Sequence, residues 1–159
     1  MPFSFSAVVL AALTAVPLTP PPALVAQVSD LKQIDRVSDL PAPIAAGEFS
    51  VDGVTAKGWR MSDPGGPFNA TDEIVDPNAP GRRLLFAACD PTVCAIVYEI
   101  GGVAHTYRIL AFQLNGSTWH TIWNAMGPKP LANLPALRTL VEHPTTKGGW
   151  TNVWVKGDF

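Results

Sequence analysis

Residues 84–124 decide the fold, and they read LLFAACDPTVCAIVYEIGGVAHTYRILAFQLNGSTWHTIWN. Apolar runs in this stretch are separated by three turn signals, Asp90-Pro91, Gly101-Gly102 and Asn115-Gly116. Gly-Gly and Asn-Gly favour tight hairpins, because both central residues of a type I′ turn need a positive φ. The stretch therefore predicts a four-stranded antiparallel meander over 84–89, 94–100, 103–114 and 117–124.

Counting outward from each turn predicts which residues pair across neighbouring strands. The predicted pairs are Cys89 with Cys94, Phe86 with Val97, Leu85 with Tyr98, Tyr98 with His105, Ile96 with Tyr107, Phe112 with Trp119, Arg108 with Trp123, and Ala111 with His120. Alternation along each strand then sorts the side chains onto two faces. Neither face is cleanly polar, so each is expected to be at least partly covered.

Flanking patterns complete the fold prediction. Asp52-Gly53 indicates a further hairpin between strands over 48–51 and 54–61. Asn133 is expected to cap a helix over 134–141, and a last strand is expected over 153–155. We predict a single α+β domain over 48–159. It is mainly an antiparallel β-meander of about six strands, with one helix in the C-terminal half packed on the sheet. Residues 27–47 are expected to form an N-terminal linker or short helix.

The N-terminal residues carry an export pattern. No charged side chain precedes Asp30, and the apolar run 5–16 is followed by prolines and by the small residue Ala26. This pattern predicts a signal peptide over 1–26, cleaved before Gln27, and a periplasmic or secreted mature protein. An uncleaved anchor is the alternative. The run is shorter than the roughly 20 apolar residues of a spanning helix, so no stable membrane span is expected.

Composition and cysteine spacing narrow the class of protein. Hydrophobic residues make up 47% of the chain and charged residues 15%, which excludes a disordered chain. The net charge of −2 argues against nucleic-acid binding, which needs a basic surface. In an oxidising compartment Cys89 and Cys94 are expected to pair across their turn as a structural disulfide, with redox or metal roles as alternatives.

Catalytic and metal-binding patterns are weak. The segment 62–81 holds four prolines and three glycines, and a loop of this length is usually functional or disordered. Its oxygen-bearing side chains offer calcium ligands, but not at the spacing of a twelve-residue calcium loop. In the predicted register His105 and His120 lie too far apart to share a metal. Glu99 is expected to be exposed at a turn edge. No cofactor or metal is predicted.

The aromatic residues suggest a binding surface. Arg108, Phe112, Trp119 and Trp123 are predicted to share one face, with Arg108 stacked on Trp123, and Tyr98, His105 and Tyr107 are predicted to form a strip on the other. Trp, Tyr and Arg dominate interface hot spots. The candidate binding residues are therefore Tyr98, His105, Tyr107, Arg108, Trp119 and Trp123.

The leading hypothesis is an exported, non-catalytic binding or accessory protein. It would act as an inhibitor or subunit of another exported protein, or would bind a glycan. One alternative is a small hydrolase that uses His105 or His120 with a carboxylate from 62–81, which requires contact within about 2.6–3.2 Å. The other alternative is a small-ligand carrier, which requires an enclosed cavity of roughly 300 Å³ or more.

Overall fold

The protein folds as one sheet covered on both faces. The computed structural model describes residues 18–51, 54–56, 59–144 and 148–153. In chain order the elements are α1 (Pro22–Gln27), β1 (Lys32–Ile34), a 3₁₀ turn (Val37–Asp39), α2 (Ala42–Ala45), β2 (Phe49–Val51), β3 (Val54–Thr55), β4 (Arg82–Cys89), β5 (Val93–Ile100), β6 (Thr106–Asn115), β7 (Thr118–Gly127), α3 (Leu134–Glu142) and β8 (Thr151–Asn152).

The sheet order is β1-β4-β5-β6-β7-β2-β3, and β8 also pairs with β7. Every pairing is antiparallel except that of β2 with β7, which is parallel. The predicted α+β class is confirmed, with its mainly antiparallel meander and one C-terminal-half helix on the sheet. The two-residue strands β3 and β8 bring the count above the expected six. The last predicted strand begins earlier, at Thr151, and residues 154–155 lie outside the described residues.

The first hairpin has the predicted register near its turn. Cys89 pairs with Cys94 and Phe86 with Val97, as expected. The pairing of Leu85 with Tyr98 was wrong, because a bulge between Leu84 and Phe86 shifts the register and Tyr98 pairs with Leu84. An extra residue in one strand moves every later pair by one position.

The second turn is longer than predicted. Ile100 pairs with Thr106, so residues 101–105 form the connection between β5 and β6. Tyr98 therefore pairs with Arg108 rather than His105, and Glu99 rather than Ile96 pairs with Tyr107. The reason is a contact from outside the hairpin. Gly101 donates its backbone N–H to the carbonyl of Gly81, which fixes it in an extended path instead of a two-residue turn.

The third turn also differs. Its central residues are Gly116, with φ 64°, and Ser117, because Asn115 pairs with Thr118. A second bulge shifts the register between Ala111 and Phe112. The predicted pairs across this turn were wrong, and the observed pairs are Leu114 with Trp119, Gln113 with His120, Phe112 with Thr121, Ala111 with Trp123, and Arg108 with Met126. The bulge places Trp119 and Trp123 on opposite faces of the sheet.

Two apolar clusters stabilise the sheet. On the helix face, α3 and α1 cover buried residues that include Phe86, Val97, Ile109 and Trp123. On the opposite face, which we call the Trp59 face, Phe49 and Trp59 pack over Leu84, Tyr98, Ile96, Leu110, Phe112 and Trp119. The helix α3 begins as predicted, since the Asn133 side chain accepts a hydrogen bond from the Ala136 backbone N–H at 3.1 Å.

The N-terminal described segment belongs to the core of the helix face. Leu18, Leu24 and Val28 are buried there together with Leu137 and Val141 of α3. Gln27 is the last residue of α1, so the predicted cleavage site lies at the end of this helix. Residues 1–17 of the predicted signal peptide lie outside the described residues. Among the described residues, no helix combines the length and apolar character needed to cross a membrane.

The disulfide between Cys89 and Cys94 is present, as predicted. Because it closes a short loop, we expect reduction to lower the free energy of unfolding by about 2 kcal/mol or less. Urea unfolding with and without reductant measures this change in the wild type and in the Cys89→Ala/Cys94→Ala variant. Reductant is expected to act on the wild type alone, and an equal effect on both proteins would contradict a stabilising bridge.

A chain that begins at Gln27 should be less stable than one that begins at Leu18. The shorter chain lacks Leu18 and Leu24, and burial of one leucine contributes roughly 2–5 kcal/mol. Thermal unfolding of the two purified chains measures the difference, with Leu24→Ala in the longer chain as a control for the single side chain. Equal unfolding temperatures for all three proteins would show that α1 adds nothing to the core.

Candidate functional site

The long loop, residues 62–81, is attached to the sheet at both ends. At its start the Ser62 N–H donates to the Arg82 carbonyl at 3.1 Å, and the Leu84 N–H donates to the Ser62 carbonyl at 2.9 Å. At its end the Gly81 carbonyl accepts from the Gly101 N–H at 3.0 Å. A Cβ added at Gly101 would overlap the Asn69 carbonyl oxygen, so glycine is required for this close approach.

Asn69 closes the outer part of this loop with its side chain. Its Nδ2 donates to the carbonyls of Asp76 at 2.8 Å and Ala79 at 3.0 Å. Its Oδ1 accepts from the backbone N–H groups of Val75 at 3.2 Å and Asp76 at 3.1 Å. Its own backbone N–H donates to the carbonyl of Pro80 at 2.9 Å. One amide therefore fixes the path of residues 69–80.

The tip of the closed loop presents apolar side chains to solvent. Ile74 is 70% exposed and Val75 is 79% exposed. Asp72, Glu73 and Asp76 flank them and are exposed as well. The sequence 61–81 contains four acidic residues and no Lys or Arg. The tip is therefore an apolar pair within an acidic surround.

Glu99 lies beneath the base of the loop and is only 3% exposed. The expectation of an exposed turn-edge carboxylate was wrong, because the long loop covers this end of the sheet. Glu99 Oε1 accepts from Arg83 Nε in a short ion pair, and Oε2 lies 2.7 Å from His105 Nε2. Both carboxylate oxygens thus have a charge-assisted or hydrogen-bonded partner.

Arg83 connects Glu99 to the loop. Its Nη1 donates to the Gly66 carbonyl at 3.2 Å, and its guanidinium stacks 4.4 Å from the ring centroid of Phe68. The His105 ring lies 6.0 Å from Phe68 and 5.2 Å from Tyr107, centroid to centroid. The Glu99 cluster, which we define as Arg83, Glu99 and His105, therefore anchors the loop to β4 and β5.

One contact in the structure supports the hydrolase hypothesis. His105 has a carboxylate within hydrogen-bond distance, and that carboxylate comes from Glu99 on β5 rather than from the long loop. His120 is exposed on β7 opposite Gln113, and His143 is exposed after α3. Among the described residues, no group of three or more His, Cys, Asp or Glu side chains is arranged to hold a metal ion.

The carrier hypothesis requires an enclosed cavity. A depression of about 800 Å³ lies beside the disulfide, between β1 and the turn after β4. Its lining is mainly apolar and includes Ile34, Leu40, Pro41 and Pro91. It is open to solvent along one side, so it resembles a groove more than the closed pocket that the carrier hypothesis expects.

The structure separates the six candidate binding residues. His105 and Tyr107 lie beside Glu99 at the base of the loop, whereas Tyr98 and Arg108 are paired on the Trp59 face. Tyr98, His105 and Tyr107 therefore do not form the predicted strip.

Of the four residues predicted to share a face, Arg108, Phe112 and Trp119 do share the Trp59 face, and Trp123 does not. Trp119 is buried on the Trp59 face. Trp123 is buried on the helix face, where its indole donates to Asn152 Oδ1 at 2.9 Å. The expected stacking of Arg108 on Trp123 does not form, since Arg108 lies opposite Met126 on the other face. The arginines that stack on aromatic rings are Arg82 on Trp59 and Arg83 on Phe68.

Sequence reasoning missed Asn69, Arg83 and the true setting of Glu99. The run Gly81-Arg82-Arg83 at the start of a strand was the available signal, because two arginines entering an apolar strand need acceptors or anionic partners. The acceptors of Asn69 are seven to eleven residues away along the loop, so no short motif marks its role.

Replacing Glu99 by Gln should destabilise the protein by about 3 kcal/mol, because it leaves the Arg83 guanidinium without its anionic partner. Urea unfolding measures the loss, and Glu142→Gln, an exposed acid at the end of α3, controls for the change in net charge. In the Arg83→Gln/Glu99→Gln double variant we expect a loss smaller than the sum of the two single losses. Strictly additive losses would contradict a coupled pair.

Tyr98 should make stability sensitive to alkaline pH. Burial raises the pKa of Tyr98 to about 12, against the opposing effect of the Arg108 and Arg82 charges. The pKa of Tyr98 is higher in the folded state than the unfolded value of about 10. The contribution of Tyr98 to the free energy of unfolding is therefore complete below pH 10 and is lost as the pH rises towards 12.

The chain has two tyrosines, so the Tyr107→Phe variant reports on Tyr98 alone. Tyrosinate absorbance should show a midpoint near pH 12 for the folded variant and near 10 in denaturant. The Tyr98→Phe variant should lose this part of the alkaline destabilisation. A midpoint near 10 in both conditions would mean that Tyr98 is not buried as described.

Comparison of the chain with protein-family models, with curated proteins and with solved structures found no match. The functional argument therefore rests on the geometry of the chain's own residues. That geometry offers an anchored loop with an exposed apolar tip, and a buried carboxylate that holds it.

Proposed function

We propose that this protein is an exported, non-catalytic binding protein that docks onto another exported protein through the tip of its long loop. The observation that carries the proposal is the loop closed by Asn69, with Ile74 and Val75 exposed at its tip. These two adjacent side chains form a small exposed apolar patch, and an exposed apolar patch with a polar rim marks an interaction site.

The closed loop favours tight binding because it is already ordered and loses little conformational entropy when a partner binds. Association is weakened by the conformational entropy that flexible side chains and loops lose when they bind. A loop that is rigid before binding loses less of this entropy. Asn69 fixes the loop from within, and four prolines restrict its backbone. Binding residues are often carried by loops that a rigid scaffold positions, and the sheet with its Glu99 cluster serves as that scaffold.

The charges around the tip define the chemistry of the partner. Asp72, Glu73 and Asp76 flank Ile74 and Val75 in the sequence, and the long loop itself contains no Lys or Arg. A basic side chain from outside the loop, Arg60, donates to the Asn78 carbonyl at 2.9 Å. A complementary surface is an apolar pocket with Lys or Arg at its rim. Such charge complementarity raises the association rate and discriminates against acidic partners. An inhibitor or accessory subunit of an exported protein has this mode of binding.

The export part of the proposal depends on two features. The N-terminal apolar run has the layout of a signal peptide. The disulfide between Cys89 and Cys94 is compatible with an oxidising compartment, where such bonds persist.

A hydrolase is the second candidate, and one contact favours it. If His105 Nε2 donates to Glu99, then Nδ1 is the acceptor and could remove a proton from a substrate. His105→Ala and Glu99→Gln should then abolish hydrolysis of a reporter ester or glycoside, while Tyr107→Phe should retain it. Absence of any turnover by the wild-type protein on these reporters would leave binding as the better-supported function.

The docking proposal is tested with a photo-crosslinking amino acid placed at position 74, 75 or 103 in the source cells. Position 103 carries an exposed valine in the connection between β5 and β6, outside the long loop, and is the matched control. We expect one discrete adduct from positions 74 and 75 and none from position 103. Adducts from position 103 alone, or equally from all three, would contradict docking through the tip.

Affinity for the crosslinked protein is then measured with purified components. Ile74→Ser and Val75→Ser should each weaken the affinity about tenfold or more, since each removes about 1.4 kcal/mol or more of apolar contact. Asn69→Ala should also weaken it, mainly through a faster dissociation rate, because it opens the loop without touching the tip. Val103→Ser should leave the affinity unchanged. Unchanged affinity in all the loop variants would overturn the proposal.

A further inference from the structure

The Trp59 face carries positive charge that the described residues do not neutralise. Arg108 on β6 pairs with Tyr98 on β5, and Arg82 on β4 pairs with Ile100, two residues further along β5, so both arginines are on this face near Tyr98. Neither arginine forms a salt bridge with a described residue, and the Nε of each is buried without a hydrogen-bond partner. Burial lowers the pKa of Arg82, Tyr98 opposes this by a smaller amount, and the like charge of Arg108 lowers the pKa further.

Trp59 adds a third unpartnered donor at the same place. It is 4% exposed, and its indole Nε1 is buried with no hydrogen-bond partner among the described residues. The Arg82 guanidinium stacks 4.5 Å from the centroid of its ring. Three buried N–H groups therefore lie on one face of the sheet, and each of them can only donate.

This arrangement is costly unless an acceptor completes it. A buried donor without a partner gives up its hydrogen bond to water without a replacement, and two guanidinium groups that approach each other add repulsion. By contrast, Arg83 on the opposite face has both an anionic partner and a carbonyl acceptor. The difference between the two neighbouring arginines points to a ligand for Arg82 and not for Arg83.

We propose that Arg82, Arg108 and Trp59 form a binding site for the carboxylate or phosphate group of a small anionic molecule. Guanidinium groups present paired N–H donors that match the oxygens of either group. Both arginines are half-buried, so an anion from solvent can reach the guanidinium groups. The indole N–H supplies one further donor, and the apolar surround strengthens each of these interactions.

The adjoining strand indicates what else the molecule carries. Asn124 and Thr121 on β7 also have buried side-chain oxygens without a partner in the described part of the chain, and both pair with residues of the Trp59 face. Asn124 lies opposite Leu110, diagonal to Arg108. An amide oxygen in this position accepts a hydrogen bond. The favoured ligand is therefore an anion with hydroxyl or amino donors, such as a hydroxy acid or a sugar phosphate.

This site is independent of the loop docking proposed above. It lies on the opposite face from the Glu99 cluster, and none of its residues belongs to the long loop. A variant of Ile74 or Val75 should not change anion binding, and a variant of Arg108 should not change loop docking. Failure of one proposal leaves the other standing.

The first experiment titrates the full-length protein with inorganic phosphate, citrate and acetate at constant ionic strength, with calorimetry and thermal unfolding as the two measurements. We expect saturable binding of phosphate or citrate and a higher unfolding temperature. Preference for phosphate assigns the site to a phosphorylated ligand, and preference for citrate assigns it to a carboxylate. No saturable binding of any of the three anions would overturn the proposal.

Variants separate a built site from general charge attraction. Arg108→Gln should weaken the affinity about tenfold or more, and Arg108→Lys should weaken it less, because lysine retains the charge but not the paired donors. Arg36→Gln removes one charge from an exposed position near β1 and should have no effect. Equal weakening by Arg36→Gln and Arg108→Gln would contradict a specific site.

Stability without ligand gives a second readout. An arginine retained for binding destabilises the empty protein, so Arg108→Gln should unfold at the same temperature as the wild type or at a higher one when no anion is present. An arginine retained for structure would give the opposite result. A lower unfolding temperature without anion, together with unchanged anion affinity, would assign Arg108 a structural role and overturn the proposal.

Discussion

The ion pair between Glu99 and Arg83 constrains the architecture more than any other contact. A carboxylate that is 3% exposed is stable only with partners for both oxygens, and Arg83 and His105 supply them. Arg83 can face Glu99 only because a bulge at Leu85 shifts β4 by one residue relative to β5. The same arginine holds Gly66 and Phe68, so the long loop depends on this pair for its position.

The sequence predicted the hairpin around the cysteines correctly because its turn is local. Asp90 accepts from the backbone N–H groups of Thr92 and Val93, which fixes that turn from within. The next two turns depend on distant contacts or on bulges that no turn signal marks. Gly101 is held by Gly81 and lies against Asn69, and a bulge at Ile122 interrupts β7. A shift of one residue moves every later side chain to the other face. The alternation within each strand was therefore predicted well, whereas the prediction of which residues on different strands share a face was poorer.

The candidate site shows the same division between local and distant signals. The length and proline content of 62–81 indicated a functional or disordered loop, and the structure shows an ordered one. Its closure by Asn69 follows from hydrogen bonds that no short motif encodes. The aromatic residues were the right type for an interface but were assigned to the wrong neighbours, since Trp119 and Trp123 are separated by the sheet. Composition indicates which residues can bind, whereas the register decides which of them meet.

The two adjacent arginines at the start of β4 have different roles, one in the scaffold and one in the proposed anion site. Successive side chains of a strand point to opposite faces, so Arg82 and Arg83 enter different environments although they are neighbours in sequence. Arg83 meets a carboxylate and becomes part of the scaffold. Arg82 meets a second arginine, a tyrosine and an indole, none of which neutralises it. The contribution of Arg83 to the folded structure is enough to explain its charge. The charge of Arg82 is explained in the same way only if a ligand binds it.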